Sequence, residues 1–267
     1  MKFKNWIALI ATGLVALCLT ACGSAKSSGI DVIKSKGKLV VATSPDYAPF
    51  EFQTLVNGKN EVVGADMDLA KAIADELGVE LEISTMSFDN VLTSLQAGKA
   101  DLAISGLAVT EEREAVFDFS ESYYETKISL LVRKEDVNKY ANLESFEGVD
   151  VAAQKGSIPE TMVKEQLPKA HLISLTNMGE AINELQTGKV DAVNLDEPVA
   201  LSYAAQNKDL AIAKVALKAT GGDANAVAMQ KGNKELKEVV DKVVKKVKED
   251  GTYKTYLEKA SALSEPE

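Results

Sequence analysis

The segment Leu95-Gln96-Ala97-Gly98-Lys99-Ala100-Asp101 recurs as Leu185-Gln186-Thr187-Gly188-Lys189-Val190-Asp191. Each copy follows an amphipathic stretch and precedes a short apolar run. The pattern L-Q-x-G-K-x-D describes a helix end, a glycine cap, a lysine and a strand that begins at an aspartate. Its separation exceeds the about 20–50 residues of solenoid repeats. The chain is therefore expected to use one α/β unit twice, as two similar lobes. Two lobes enclose a cleft, and clefts between domains are where small ligands bind.

The rest of the chain fits that plan. Lys38 to Thr43 has the apolar run of a buried strand, and Asn57-Gly58 closes a hairpin between 50–56 and 61–64. Leu69, Ile73 and Leu77 share one face of a helix over 66–77 that Gly78 caps. Alternating Val79, Leu81 and Ile83 form the next strand. The first repeat supplies a helix over 89–97 and a strand over 101–105. The second supplies a helix over 179–186 and a strand over 191–195. Strands are also expected at 127–133, 149–153 and 224–229, and helices from Pro159, over 233–249 and over 252–259. Strands alternating with helices indicate an α/β fold with largely parallel sheets. Packing the C-terminal helices on the first lobe divides the chain into 30–126 plus 220–267 and 127–219. The backbone then crosses twice, near 126 and near 220, which makes a hinge suited to closure.

Residues 1–21 have the order of a signal peptide: Lys2 and Lys4, then an apolar run from Trp6 to Leu17 that is shorter than the about 20 residues of a membrane span. Leu19-Thr20-Ala21-Cys22 resembles the lipobox of bacterial lipoproteins, so Cys22 is expected to carry lipid and residues 22–29 to form a flexible tether. Cleavage there also removes Cys18, leaving no free thiol. The expected location is the outer face of a cell membrane, in a Gram-positive host. Loss of the two leader lysines takes the formal net charge from −10 to about −12, an acidity that argues against nucleic acid.

Little suggests catalysis. His171 is the only histidine, in a Lys-Ala-His-Leu-Ile segment that suits a strand edge. There is no G-x-S-x-G elbow, zinc spacing, phosphate loop or dinucleotide fingerprint. No cofactor or metal is expected.

In doubly wound sheets ligands sit beyond the carboxyl ends of strands, which singles out 44–47, 105–110, 156–158 and Asp196. These stretches carry a resemblance. Thr43-Ser44-Pro45-Asp46-Tyr47-Ala48-Pro49-Phe50-Glu51-Phe52, Gly64-Ala65-Asp66-Met67-Asp68-Leu69, the run from Phe88 through Ser105-Gly106 to Thr110-Glu111-Glu112-Arg113, Gln154-Lys155-Gly156-Ser157 and Asn194-Leu195-Asp196-Glu197 occur in order. Together they resemble the polar amino-acid-binding proteins of ABC importers, the family 3 extracellular solute-binding proteins. That resemblance implies a two-lobed periplasmic-binding fold of type II, with two crossover strands as hinge and an L-amino acid in the cleft.

By the same resemblance Arg113 would hold the ligand α-carboxylate, with backbone N–H groups near Ala108 and Ile158 and the Ser157 turn assisting. Asp196 would take the α-ammonium with the Gly106 carbonyl, beside Ser105. Tyr47 and Phe88 would sandwich the aliphatic stem. By charge pattern alone Arg113 could equally be a solvated cation, Asp196 a turn residue, and Tyr47 and Phe88 core. Ala108 replaces a common Ser or Thr. Ser44 replaces an acid that reads the ligand side chain in several members, which passes that task to Asp46, Glu51 or Asp89. The expected ligand is basic, arginine first, then glutamine or histidine. The expected partners are the permease and ATPase subunits of an importer, engaged by a monomeric receptor. A cyclohexadienyl dehydratase of the same fold and an amino-acid sensor module are the alternatives.

Overall fold

The computed structural model describes residues 29–218 and 224–264. The expected signal peptide, Cys22 and all but the last residue of the expected tether lie outside the described residues, as do residues 219–223 of the expected second crossing. Helix α1 (Gly29–Lys36) leads into β1 (Lys38–Thr43) and β2 (Asp46–Tyr47). The hairpin β3 (Glu51–Val56) and β4 (Lys59–Val63) follows, with both Asn57 and Gly58 at positive φ in its turn. Next come α2 (Ala65–Leu77), β5 (Glu80–Thr85), α3 (Phe88–Gln96), β6 (Leu102–Ala103), α4 (Glu111–Val116) and β7 (Phe117–Phe119). After β8 (Tyr124–Glu125) the chain builds β9 (Ile128–Arg133), β10 (Asp150–Gln154), α5 (Ile158–Gln166) and β11 (His171–Leu175). It continues through α6 (Met178–Gln186), β12 (Ala192–Asp196), α7 (Glu197–Gln206) and β13 (Leu210–Ile212). Finally it returns by β14 (Ala224–Asn225) and β15 (Ala228–Gln230) to α8 (Lys234–Glu249) and α9 (Thr252–Ser264).

Two five-stranded sheets result, ordered β5-β1-β6-β15-β7 and β11-β10-β12-β9-β13. They have the same topology, and the repeat explains why. Gly98 and Gly188 take φ of 68° and 75° at the ends of α3 and α6, a conformation glycine adopts without strain. Asp101 N–H donates to the Val40 carbonyl and Asp191 N–H to the Asp150 carbonyl, both at 2.8 Å. The two carboxylates reciprocate, accepting Val40 N–H at 2.9 Å and Asp150 N–H at 3.2 Å. Each motif thus locks its strand in register against the first parallel strand of its own sheet.

Each sheet has one reversed strand in an otherwise one-directional set. In each, four strands run one way, and only the strand arriving from the other sheet, β15 or β9, runs against them, between β6 and β7 or between β12 and β13. A strand that crosses from the neighbouring sheet starts at the cleft end and has to run backwards. The single strand expected over 224–229 is two. β14 pairs with β8 between the sheets, and β15 joins the first sheet. The strand expected over 101–105 ends at Ala103, because the chain then turns out towards the cleft. Gly29 opens a helix instead of closing the tether, and Ile33 of that helix is buried against the α8 layer.

Both faces of each sheet are covered, so the central strands are continuously apolar. On the first sheet, α2, α8 and α9 bury Leu69, Ile73, Val240, Val244 and Tyr253, while α3 covers the other face with Val91 and Leu95. On the second, α6 and α7 bury Ile182, Leu185 and Val199, and α5 buries Met162 and Val163 opposite. No described helix is long and apolar enough to cross a membrane.

Candidate functional site

The cleft lies at the carboxyl ends of the central strands of both sheets. From the first sheet, β6 runs into a turn at Ser105 and Gly106 and then into α4. Gly106 has φ of 54°, and a Cβ there would stand 3.5 Å from the Tyr47 ring. Thr110 caps α4 by accepting the Arg113 N–H at 3.2 Å, which fixes where the arginine leaves the backbone. The guanidinium donates to the Ala108 carbonyl at 2.7 Å and across the cleft to the Gly156 carbonyl at 3.2 Å. It also lies 5.9 Å from the centre of the Phe88 ring. Burial lowers its pKa to about 10, still a full cation at neutral pH. Its hydrogen bonds go to neutral carbonyls, and the charge that acts on it is the Glu112 carboxylate of its own helix.

From the second sheet come Gln154, which ends β10, Ile158, which opens α5, and Asp196, which ends β12. Ser157 caps α5 through the Glu160 N–H at 3.1 Å. Pro159 has no N–H and the Glu160 N–H is spent on that cap, which leaves the Ile158 N–H at the cleft lining, at the positive end of the helix dipole. Asp196 is buried. Its backbone N–H donates to the Tyr47 hydroxyl at 3.1 Å. Burial pushes its carboxyl up to about 7, against the opposing pull of a hydrogen bond with Tyr47.

One cleft is lined by Tyr47, Phe88, Gly106, Ala108, Arg113, Ile158 and Asp196, together with Ile128, Gln154 and Pro159. Three of the expected residues stand behind it. Ser44 Oγ is spent on Asp46 at 3.1 Å, and Ser105 accepts the Ser44 N–H and donates to Glu51. The Ser157 side chain is committed to its cap. The bridge between Ala108 and Asn225 runs its hydrogen bonds through Leu107 and Val109, so the Ala108 N–H is not part of that ladder.

None of the three acids expected to read a ligand side chain lines the cleft. Asp46 accepts Gln154 Nε2 at 3.2 and 3.3 Å and the Met178 N–H at 2.8 Å, tying the two sheets together. Glu51 is fully buried. Asp89 pairs with Lys155 at 3.0 Å. Gln154 was missed as a lining residue, although it ends a central strand just as Asp196 does, and that position is the signal that finds it. His171 is exposed on β11, 3.1 Å from Asp150, and takes no part.

The model of the family described as bacterial extracellular solute-binding proteins, family 3, matches residues 39–261. An arginine-binding extracellular protein of Bacillus subtilis, ArtP, is 32% identical over 93% of this chain and 94% of its own length. A crystal structure of an amino acid ABC transporter substrate-binding protein from Streptococcus pneumoniae bound to L-arginine superposes with a TM-score of 0.88 at 69% identity, covering 90% of this chain and all of that one. The ancestral amino acid-binding protein AncCDT-1, a precursor of cyclohexadienyl dehydratase, superposes with a TM-score of 0.79 at 37% identity over 87% of this chain and 99% of its own.

Proposed function

Since this chain belongs to the bacterial extracellular solute-binding proteins of family 3, we propose that it captures an L-amino acid, arginine first, between its lobes and presents it to the permease and ATPase subunits of an ABC importer. The observation that carries this reading is the placing of a desolvated cation, Arg113, and a buried carboxyl, Asp196, on opposite walls of one cleft. An α-amino acid zwitterion supplies the opposite charge to each. In this reading the Ala108 and Ile158 N–H groups assist the carboxylate, the Gly106 carbonyl assists the ammonium, and Tyr47 and Phe88 flank the stem. Gln154 favours a side chain rich in donors. Asp46 can accept only from its N–H2, which turns the amide oxygen towards other donors. The names of the relatives support arginine ahead of glutamine and histidine. A thermal-shift screen against the proteinogenic amino acids tests this. Arginine should give the largest rise in melting temperature, and a rise with glutamine alone would overturn the ligand assignment.

We assign lobe 1 to 30–126 plus 220–267 and lobe 2 to 127–219, with the crossings as hinge. The mature protein would be a monomer held by lipid on Cys22 at the surface of a Gram-positive cell. A receptor is favoured over a dehydratase because the sole histidine is far from a cleft role, exposed beside Asp150. Incubation with prephenate or arogenate separates the two, since turnover would contradict a pure receptor.

A further inference from the structure

Beneath the turn that carries Gly106 lies a layer of acids that the ligand-facing groups do not include. Glu51, the first residue of β3, and Asp66, in the first turn of α2, are both fully buried. Glu51 Oε1 accepts the Ser105 hydroxyl at 2.9 Å, and Ser105 Oγ accepts the Ser44 N–H at 3.0 Å. Asp66 Oδ2 accepts the Gly106 N–H at 2.9 Å and the Tyr123 hydroxyl at 2.8 Å, while Oδ1 accepts the Tyr253 hydroxyl at 2.8 Å. Two consecutive residues of the turn are thus tied to two different buried carboxyls.

The carboxyls are unequally served. Asp66 receives three donors, which oppose the burial that raises its own carboxyl, so it holds a charge more readily than Glu51. Glu51 receives one, and its Oε2 is buried without a partner. Leaving a bare carboxylate oxygen in the interior is among the costlier arrangements a fold can hold. The surroundings do not relieve it. Asp66 from α2 and Asp46 from β2 act on Glu51 as like charges. Tyr47, Tyr123 and Tyr253, from β2, the start of the crossing and α9, face the same acids, with Asp196 beyond Tyr47 and Tyr123. All of these groups are acids or phenols. Burial first, then Asp66, pushes the Glu51 carboxyl well above the usual carboxylate range.

We propose that Glu51 stands as a neutral carboxylic acid beside an ionised Asp66, and that this pair is the positioning device for the Ser105–Gly106 turn. The neutral acid keeps the Ser105 contact without a second buried charge, and Asp66 anchors Gly106 so that its carbonyl faces the cleft. Tyr123 and Tyr253 link the same anchor to the crossing and to the C-terminal helix. The positioning half rests on the assignment of the cleft to an amino acid.

Two measurements test the proposal. An acid kept neutral in the fold but ionised when unfolded makes the fold lose stability as pH rises above about 4.3, until it ionises in place. The melting temperature of Glu51→Gln should therefore gain on that of the unaltered protein with each pH unit from 5 to 8, without ligand. Parallel curves would overturn the neutral acid, whatever the ligand is. For positioning, Glu51→Ala should lose arginine affinity by about tenfold or more, and Glu51→Gln should restore it to within about threefold. An alanine variant that binds like the unaltered protein would overturn the positioning role. If Glu51→Ala fails to fold, the Gly106 amide resonance decides. It should stay in place in Glu51→Gln and shift in Ser105→Ala, and no shift in the latter would sink the idea. Failure of the unaltered protein to bind arginine would count against the ligand assignment and leave the melting test standing.

Discussion

The two lobes have the same strand order and the same Gly-Lys-x-Asp lock, yet they deliver opposite charges to the cleft. The divergence begins at the last residues of β6 and β12. In lobe 1, β6 stops after two residues, and the chain spends seven more on a turn before α4 presents Arg113. In lobe 2, β12 runs on to Asp196 itself, which opens α7 directly. The lesson is that the repeat builds the frame and the chain after it sets the chemistry. The half that turns outwards can carry a long side chain that reaches across to Gly156, whereas the half that continues straight holds a short carboxyl close to the sheet. Each charge is desolvated, and among the described residues neither forms a direct ion pair, which stores interaction for a ligand with both signs.

The largest expected effect breaks the lobe 1 side. Arg113→Ala should weaken arginine binding by at least about 100-fold, since truncating one partner of a desolvated charge pair costs about 2–5 kcal/mol. Its melting temperature should barely move, because α4 buries none of its side chains. Unchanged affinity by calorimetry would remove Arg113 from the site. The lobe 2 counterpart, Asp196→Asn, keeps size and one acceptor and should lose about 10- to 100-fold, the smaller share. If the asparagine variant lost more than the Arg113 variant, the ammonium end would dominate capture.

The asymmetry also has a pH signature. Asp196 titrates at about 7 in the fold and near 4 when unfolded. Its folded pKa is raised, so its stabilising share is complete below about 4 and is lost as pH rises through 7. Ligand binding has the opposite sign, because an ammonium needs the ionised carboxylate. Arginine affinity should be full above pH 7 and fall by up to about tenfold per unit between pH 7 and 5, with proton release on binding. Arg113, at about 10, contributes no slope there. A flat profile, or one that Asp196→Asn retains, would contradict this.

How much of this was legible beforehand follows the same division. The frame was legible because its signals are local. A glycine that ends a helix at positive φ and an aspartate that begins a strand act on backbone atoms within reach. Charges at strand ends were legible by rule and by resemblance. The partners were not. Asp46 was a candidate to read the ligand, but it accepts from Gln154 and Met178 of the other lobe, more than a hundred residues away in sequence. Glu51 looks like a hairpin residue until Ser105 and Asp66 fold over it. The direction of β9 and β15 depends on which lobe each strand comes from, and no short window of sequence contains that.

The lock itself differs between lobes by what surrounds it. Asp191 serves Asp150 N–H, the Tyr140 hydroxyl at 2.9 Å and Arg133 at 3.2 Å. Asp101 serves Val40 N–H and Lys36, whose ammonium is more exposed than the Arg133 guanidinium. Tyr140 is fully buried, so losing its acceptor leaves a desolvated hydroxyl. Asp191→Ala should therefore cost about 1 kcal/mol more in urea unfolding than Asp101→Ala. Equal losses would mean that the backbone contact, common to both, carries the whole effect.

The smallest expected effect sharpens the comparison at the lip of the cleft, where the lobes meet through ordinary surface chemistry. Lys155 and Asp89 form an ion pair across the opening at 3.0 Å, with the lysine side chain 53% exposed and the aspartate 20%. Exposed pairs contribute about 0.2–1 kcal/mol and are screened by salt. Lys155→Ala should thus change arginine affinity by less than about fivefold, and the difference should vanish towards 0.5 M salt. Both Arg113 and Lys155 reach across the cleft, but only Arg113 lines it. If Lys155→Ala matched Arg113→Ala, closure would be governed by the rim. The buried charges would then have to be read as consequences of closing and not its cause.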